Sequence, residues 1–163
     1  MRGTLPEVLV TQAIQDMIPH NRCWGCGTLN PRGLQIKSHV EGDGTVCRFQ
    51  PSKDFMAGPP HVLNGGIIAT VIDCHSVCTA IAHAYRAAGR ELGSEPHIWC
   101  VTASLKVDYL APAPIEGGIE LRARVRESKG RKHFVECTLS GGGKECARAE
   151  VLAIEVPPSW RAG

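Results

Sequence analysis

The sequence has no excess of either charge: 18 Lys and Arg stand against 16 Asp and Glu, a formal net charge of +2 with the seven histidines counted neutral. It therefore lacks the global basic footprint that holds a nucleic-acid backbone, and no nucleic-acid partner is expected. Long apolar runs are also missing. No stretch reads as the eighteen or so uncharged apolar residues that a membrane span needs, so no membrane association is expected. The opening residues, Met1-Arg2-Gly3-Thr4-Leu5-Pro6-Glu7, hold no apolar signal core, and a cytoplasmic location is expected. There is no internal repeat and no linker-like stretch. With 163 residues, the chain reads as one domain over 1–163, in which roughly 70% of the unfolded surface can be buried. At 43% hydrophobic and 21% charged residues, the mixture is that of a globular protein and not a disordered one.

Cysteine, by contrast, is plentiful. An even count of eight is compatible with a disulfide framework. However, Cys74 and Cys78 fall inside a helical pattern, and Cys100, Cys137 and Cys146 fall inside strand patterns, where small buried thiols pack well. The chain is long enough for a real core, so the expectation is reduced thiols in a reducing compartment. His20, Cys23 and Cys26 have the spacing that opens a zinc site, but no second Cys-x-x-Cys or His pair completes it. The expectation there is a compact thiol- and glycine-rich loop with no metal and no cofactor.

Along the chain, residues 6–18 have helix-like apolar spacing and read as a short leading helix. The stretch from Pro19 to Pro31 is irregular, so residues 1–33 form a helix followed by a Cys- and Gly-rich loop. Residues 34–40 and 44–50 alternate and flank Glu41-Gly42-Asp43, which reads as a hairpin. After the loop Pro51–Leu63, Asn64 is placed as the cap of a helix running from Gly65 to about Ala88 and stopped by Gly89. This helix is apolar over most of its circumference, which requires burial on nearly all sides. Strands follow over 98–110, 118–127, 132–140 and 145–156, with turns at Ser128–Arg131 and Gly141–Gly143, and Pro157-Pro158 ends the last strand. One buried helix followed by antiparallel strands is an α+β arrangement, with a sheet curled around a central helix.

The stretch His61-Val62-Leu63-Asn64-Gly65-Gly66, followed seven residues later by Asp73, resembles the signature of PaaI-like hot-dog-fold acyl-CoA thioesterases: a histidine, two glycines, six residues and an acid. Two further segments fit the same family. Cys23-Trp24-Gly25-Cys26-Gly27 with Asn30-Pro31-Arg32-Gly33-Leu34 resembles the Cys-x-x-Cys-Gly and Asn-Pro-x-Gly-Leu stretch of one branch, and Tyr109-Leu110-Ala111-Pro112 resembles a Tyr-x-x-Pro strand ending. Together they cover roughly residues 20–156. Two positions depart from the pattern. Asn64 stands where the family has histidine, and Gly58 stands where some members carry an amide side chain.

What the resemblance implies is hydrolysis of an acyl-CoA thioester. Asp73 would be general base or nucleophile, the Gly65 N–H would receive the developing oxyanion, and His61 or Asn64 would complete the oxyanion site. Thr102 matches a hydroxyl residue that bonds the acid or its water; an ordinary β-branched strand residue is the alternative. His75 points away from Asp73 on the helix and reads as a satisfied core or interface histidine. Lys129, Arg131 and Lys132 at the turn, or Arg122, Arg124 and Arg126 on one strand face, could meet the CoA phosphates, with a solvated surface as the alternative. Gly65 and Asp73 are eight residues apart, about 12 Å along a helix axis, too far to act on one carbonyl within one chain. A homodimer with antiparallel central helices resolves this, and a dimer of dimers is the larger assembly implied. The same fold hosts acyl-CoA dehydratases or hydratases, and a non-catalytic acyl-CoA-binding protein is a further alternative.

Overall fold

The computed structural model describes residues 12–162. Asn64 starts the central helix α1 (Gly65–Ala87): its side-chain oxygen accepts from the N–H of Gly66 at 2.8 Å and of Ile67 at 3.2 Å. Two of the four orphan donors of the first turn are thereby satisfied. At the other end the Ala88 N–H still reaches Ala84 O, and Gly89 turns the chain away with φ of 64°.

Six antiparallel strands wrap the helix: β1 (Ser38–Glu41), β2 (Gly44–Phe49), β3 (Trp99–Tyr109), β4 (Ile119–Lys129), β5 (Lys132–Gly141) and β6 (Lys144–Val156), in the spatial order β1-β2-β4-β5-β6-β3. Ile68, Val71, Ile72 and Ile81 of the helix share one buried core with Leu121, Val135, Leu139 and Val151 of the sheet. This is the hot-dog arrangement expected from the sequence. Among the described residues α1 is the one helix long and apolar enough to cross a bilayer by length and composition, although Asp73 and two histidines interrupt its apolar run; most of its apolar stretch is buried inside the protein.

The element boundaries differ from expectation in three places. Of the leading helix expected over 6–18, residues 6–11 lie outside the described residues, and Ile14–Met17 form a single 3-10 turn. Residues 34–37 do not join β1, because the N–H groups of Leu34 and Ile36 donate to Trp24 O and Gly25 O, and Gln35 takes a positive φ of 51°. Beyond β6 the two prolines do more than end the strand: Pro158 opens a short helix, α2 (Pro158–Arg161), a position where a missing N–H is harmless.

A polar cluster is sealed inside. His75 contacts Ser38 Oγ through Nδ1 at 2.8 Å and Thr45 Oγ1 through Nε2 at 3.1 Å, Thr45 pairs with Thr79 at 2.6 Å, and Gln15 donates to Ser38 Oγ at 2.9 Å. The satisfied core histidine anticipated at position 75 is thus present, tying β1, β2, α1 and the leading turn together. Burial pushes its pKa down to about 4.

Candidate active site

Asp73 lies mid-way along α1, where its backbone is fixed by the helix and its carboxylate emerges toward β3. The Thr102 hydroxyl donates to Asp73 Oδ1. Burial pushes the carboxyl above the usual carboxylate range, and the Thr102 hydrogen bond opposes that shift. The pairing of β3 with β6 shifts register between Thr102 and Ser104. Such bulges re-aim side chains next to functional sites, and this one follows the residue that meets Asp73. Neither His75, held by Ser38 and Thr45, nor Ser76, whose Oγ is buried without a partner among the described residues, ties Asp73 down as a structural group.

A cavity of about 260 Å³ opens at this point. Asp73 and Thr102 supply its acid and hydroxyl, while Val77, Ile81, Trp99 and Trp160 supply apolar surface. Cys23, Cys26, Cys74 and Cys78 also line it, and all eight cysteines carry free thiols. Contacts with Cys23, Cys74 and Cys78 push the Cys26 thiol far below its ordinary range, while Cys74 is pushed up by Cys23, Cys26 and burial, and Cys78 by Cys26 and burial. A larger depression of about 480 Å³, around Arg48, Gly118 and Gly143, lies elsewhere on the sheet and contains neither Asp73 nor Gly65.

Gly65 occupies the other end of the working half of the helix. The Asn64 side chain takes the N–H groups of Gly66 and Ile67, and Asn64 O takes that of Ile68. The Gly65 N–H is left without an acceptor among the described residues, at the positive end of the helix dipole. The Gly65 carbonyl accepts from Tyr109 Oη at 2.7 Å, and the Tyr109 ring lies 3.5 Å from where a Cβ at Gly65 would be. The Asn64 side-chain oxygen accepts the capping bonds, which fixes the direction of its NH2, the one side-chain group that could donate to an oxyanion. His61 is exposed on the preceding loop, its carbonyl accepting from Ile115 N at 3.1 Å.

The structure therefore brings Asp73 and Thr102 together, gathers His61, Asn64 and Gly65 at the helix start, and keeps the two groups apart within one chain. Of the basic residues, Arg122, Arg124 and Arg126 are paired with Glu41, Glu120, Glu136 and Glu150 on the outer sheet face, which leaves them poorly placed to be phosphate ligands. Lys129 pairs with Glu127 at 3.0 Å, while Arg131 and Lys132 are exposed at the β4–β5 turn. Trp99, Tyr109 and Trp160 were not anticipated as site residues. The only signal was Tyr109 in the strand-ending motif; Trp99 and Trp160 carried none, because they meet only through the sheet and α2.

Residues 61–147, more than half of the chain, match the family model described as the thioesterase superfamily. Among curated proteins, the chain is similar to acyl-coenzyme A thioesterase THEM4 of Xenopus laevis, 31% identical over 109 residues that cover 67% of this chain and 43% of that protein. THEM4 of Rattus norvegicus is 29% identical, with 67% and 41% covered. The chain thus spans less than half the length of these curated relatives. Among solved structures, a thioesterase superfamily protein of Shewanella loihica is 36% identical with a TM-score of 0.58, covering 75% of this chain and 91% of that one. The PaaI protein of E. coli, from the phenylacetic acid degradation operon, has a TM-score of 0.61 at 13% identity, with 76% and 81% covered, a likeness of fold alone. With its signature helix, its wrapped sheet and a family match over more than half its length, this chain belongs to the thioesterase superfamily.

Proposed function

We propose that this chain hydrolyses acyl-CoA thioesters, each site combining Asp73 and Thr102 of one protomer with the helix start of a second copy. The observation that carries this reading is the half-buried Asp73 carboxylate, held by the Thr102 hydroxyl against an apolar cavity, on a helix whose first N–H is unspent eight residues away. Water activated by Asp73 attacks the thioester carbonyl, or the carboxylate itself attacks to give a mixed anhydride on Asp73 that water then hydrolyses, restoring the carboxylate. The developing oxyanion is received by the N–H of Gly65 of the partner subunit, and the CoA thiolate leaves and takes up a proton. With water as the co-substrate, the products are the free acid and CoA.

The separation of Gly65 and Asp73 along α1, about 12 Å, supports a shared site. So does β3, an eleven-residue strand at the edge of the sheet with Leu105 and Tyr109 exposed. An open edge of that length is a template for pairing with a second chain. Antiparallel β3–β3 pairing about a two-fold axis would set the two central helices side by side in opposite directions. The register Thr102–Ala153–His133 across β3, β6 and β5 sets the β4–β5 turn level with Thr102, about 10 Å away across two strand spacings. This register supports Arg131 and Lys132, and Lys129 once it leaves Glu127, as the proposed contacts for the phosphates of a CoA whose thioester lies at Asp73.

The test is a panel of short, long and aromatic acyl-CoA substrates with release of free CoA thiol as the readout. Turnover that collapses in Asp73→Ala supports the reading. Binding of CoA esters without turnover would make the protein an acyl-CoA binder, and hydration of an enoyl-CoA without CoA release would make it a hydratase. Either result overturns the proposal.

A further inference from the structure

Cys-x-x-Cys-Gly loops place two thiols on one side of a tight turn. In this chain the turn over Cys23–Gly27 is closed by the Gly27 N–H, which donates to Cys23 O at 2.7 Å. A side chain at Gly27 would fall 2.5 Å from Cys23 N. Asn21 orders the same turn from inside: its Oδ1 accepts from Cys23 N at 3.0 Å and its Nδ2 donates to Cys26 Sγ at 3.6 Å. The turn then docks on α1 through Gly25, where a Cβ would lie only 2.3 Å from Cys74 Sγ. The docking brings a third sulfur to the two of the loop.

The sulfur geometry is specific. The Sγ atoms of Cys23, Cys26 and Cys74 all lie within 4.8 Å of one another, and Cys23 and Cys74 are 3.7 Å apart. A tetrahedral zinc ion with Zn–S bonds of about 2.3 Å has S···S edges of about 3.8 Å. No disulfide is formed among these thiols, and a Cys-x-x-Cys pair completed by ligands from a distant element is how structural zinc sites are built. We infer that Cys23, Cys26 and Cys74 form a thiolate site for a zinc-like divalent ion, tying the N-terminal loop to the central helix beside the Asp73 cavity. Cys78, one turn further along α1, lines the same cavity but is not part of this close group, so the fourth position is left to water or another exogenous ligand. Binding displaces the thiol protons, so the site tightens as pH rises. The sequence spacing alone argued against metal because the third ligand sits on a different element.

The experiment uses the reduced, metal-free full chain titrated with cobalt(II), whose thiolate complexes give a sulfur-to-cobalt charge-transfer band in the near ultraviolet. The expected result is a band that saturates at one equivalent per chain and is displaced by zinc. It should vanish in Cys23→Ala, an exposed loop thiol whose loss leaves the core intact, and in Cys74→Ala, and should persist in Cys146→Ala, a buried thiol of β6. Absence of the band in the unaltered chain, or its survival in Cys23→Ala, overturns the inference. No acyl-CoA enters the measurement, so its outcome is independent of the hydrolysis reading.

Discussion

The Thr102 hydroxyl of β3 donates to Asp73 Oδ1 of α1, joining an edge strand to the central helix at the mouth of an apolar cavity. That bond orients the carboxylate and holds down a pKa that burial raises. Asp73→Ala and Asp73→Asn should each lower kcat/KM for the preferred acyl-CoA by roughly 10²–10⁴-fold, the usual weight of a positioned acid–base group. Thr102→Val should lower kcat by about tenfold, the scale of one lost hydrogen bond at about 1.4 kcal/mol, and Thr102→Ser should recover most of it. Steady-state kinetics on the four variants checks this. Equal losses in Thr102→Val and Thr102→Ser would show that the hydroxyl is not what matters.

Gly25 is the contact point between loop and helix. An added methyl would overlap Cys74 Sγ at 2.3 Å and press on Thr70 Cγ2 at 3.0 Å. Gly25→Ala should therefore destabilise the fold by about 1–3 kcal/mol, the cost of overpacking a well-filled site. Removing the opposing sulfur should relieve it, so Gly25→Ala in a Cys74→Ala background should cost much less than in the native background. A double-mutant cycle of denaturant midpoints measures the coupling. Additive losses would contradict the close approach.

His75 is neutral in the fold, its pKa pushed down to about 4 by burial, against about 6.5 in the unfolded chain. The unfolded state therefore takes up a proton that the folded state refuses. This contribution is at its full value above pH 6.5, declines as pH falls from there toward 4, and levels off below. It amounts to about 3 kcal/mol in all, and about 2 kcal/mol of that is lost between pH 7 and pH 5. Urea unfolding at the two pH values should show that drop in the native chain and a smaller one in His75→Gln. A drop of the same size in the variant would assign it to other groups.

Much of this was legible beforehand. The Asn64 cap, the apolar circumference of α1 and the alternation of β4 to β6 are local signals, and they located the helix and four strands to within a residue or two. The signature glycine and acid pointed to Gly65 and Asp73, and of the two readings left open for Thr102 the structure shows the hydroxyl bonded to the acid. What depended on contacts distant in sequence was not legible. Residues 34–37 alternate like a strand, yet they bond to the Trp24–Gly25 loop. Arg122, Arg124 and Arg126 read as either phosphate contacts or a solvated face, and strand pairing sets Glu41 and Glu120 beside Arg122 and Glu136 and Glu150 beside Arg124 and Arg126. Cys74 read as a packing thiol because nothing in its neighbourhood in sequence announces Cys23 and Cys26.

The central claim is that a carboxylate on one chain and a helix start on another serve one carbonyl. Two inactive variants test it together. Asp73→Ala removes the carboxylate but keeps the donor. Gly65→Pro removes the donor N–H at the first helical position, where proline is tolerated. Each alone should be inactive. After co-refolding at equal amounts, half the dimers are mixed and each mixed dimer holds one intact site, so hydrolysis should return to about a quarter of the native rate. If the mixture stays as inactive as its components while native mass spectrometry shows mixed dimers, the shared site is contradicted.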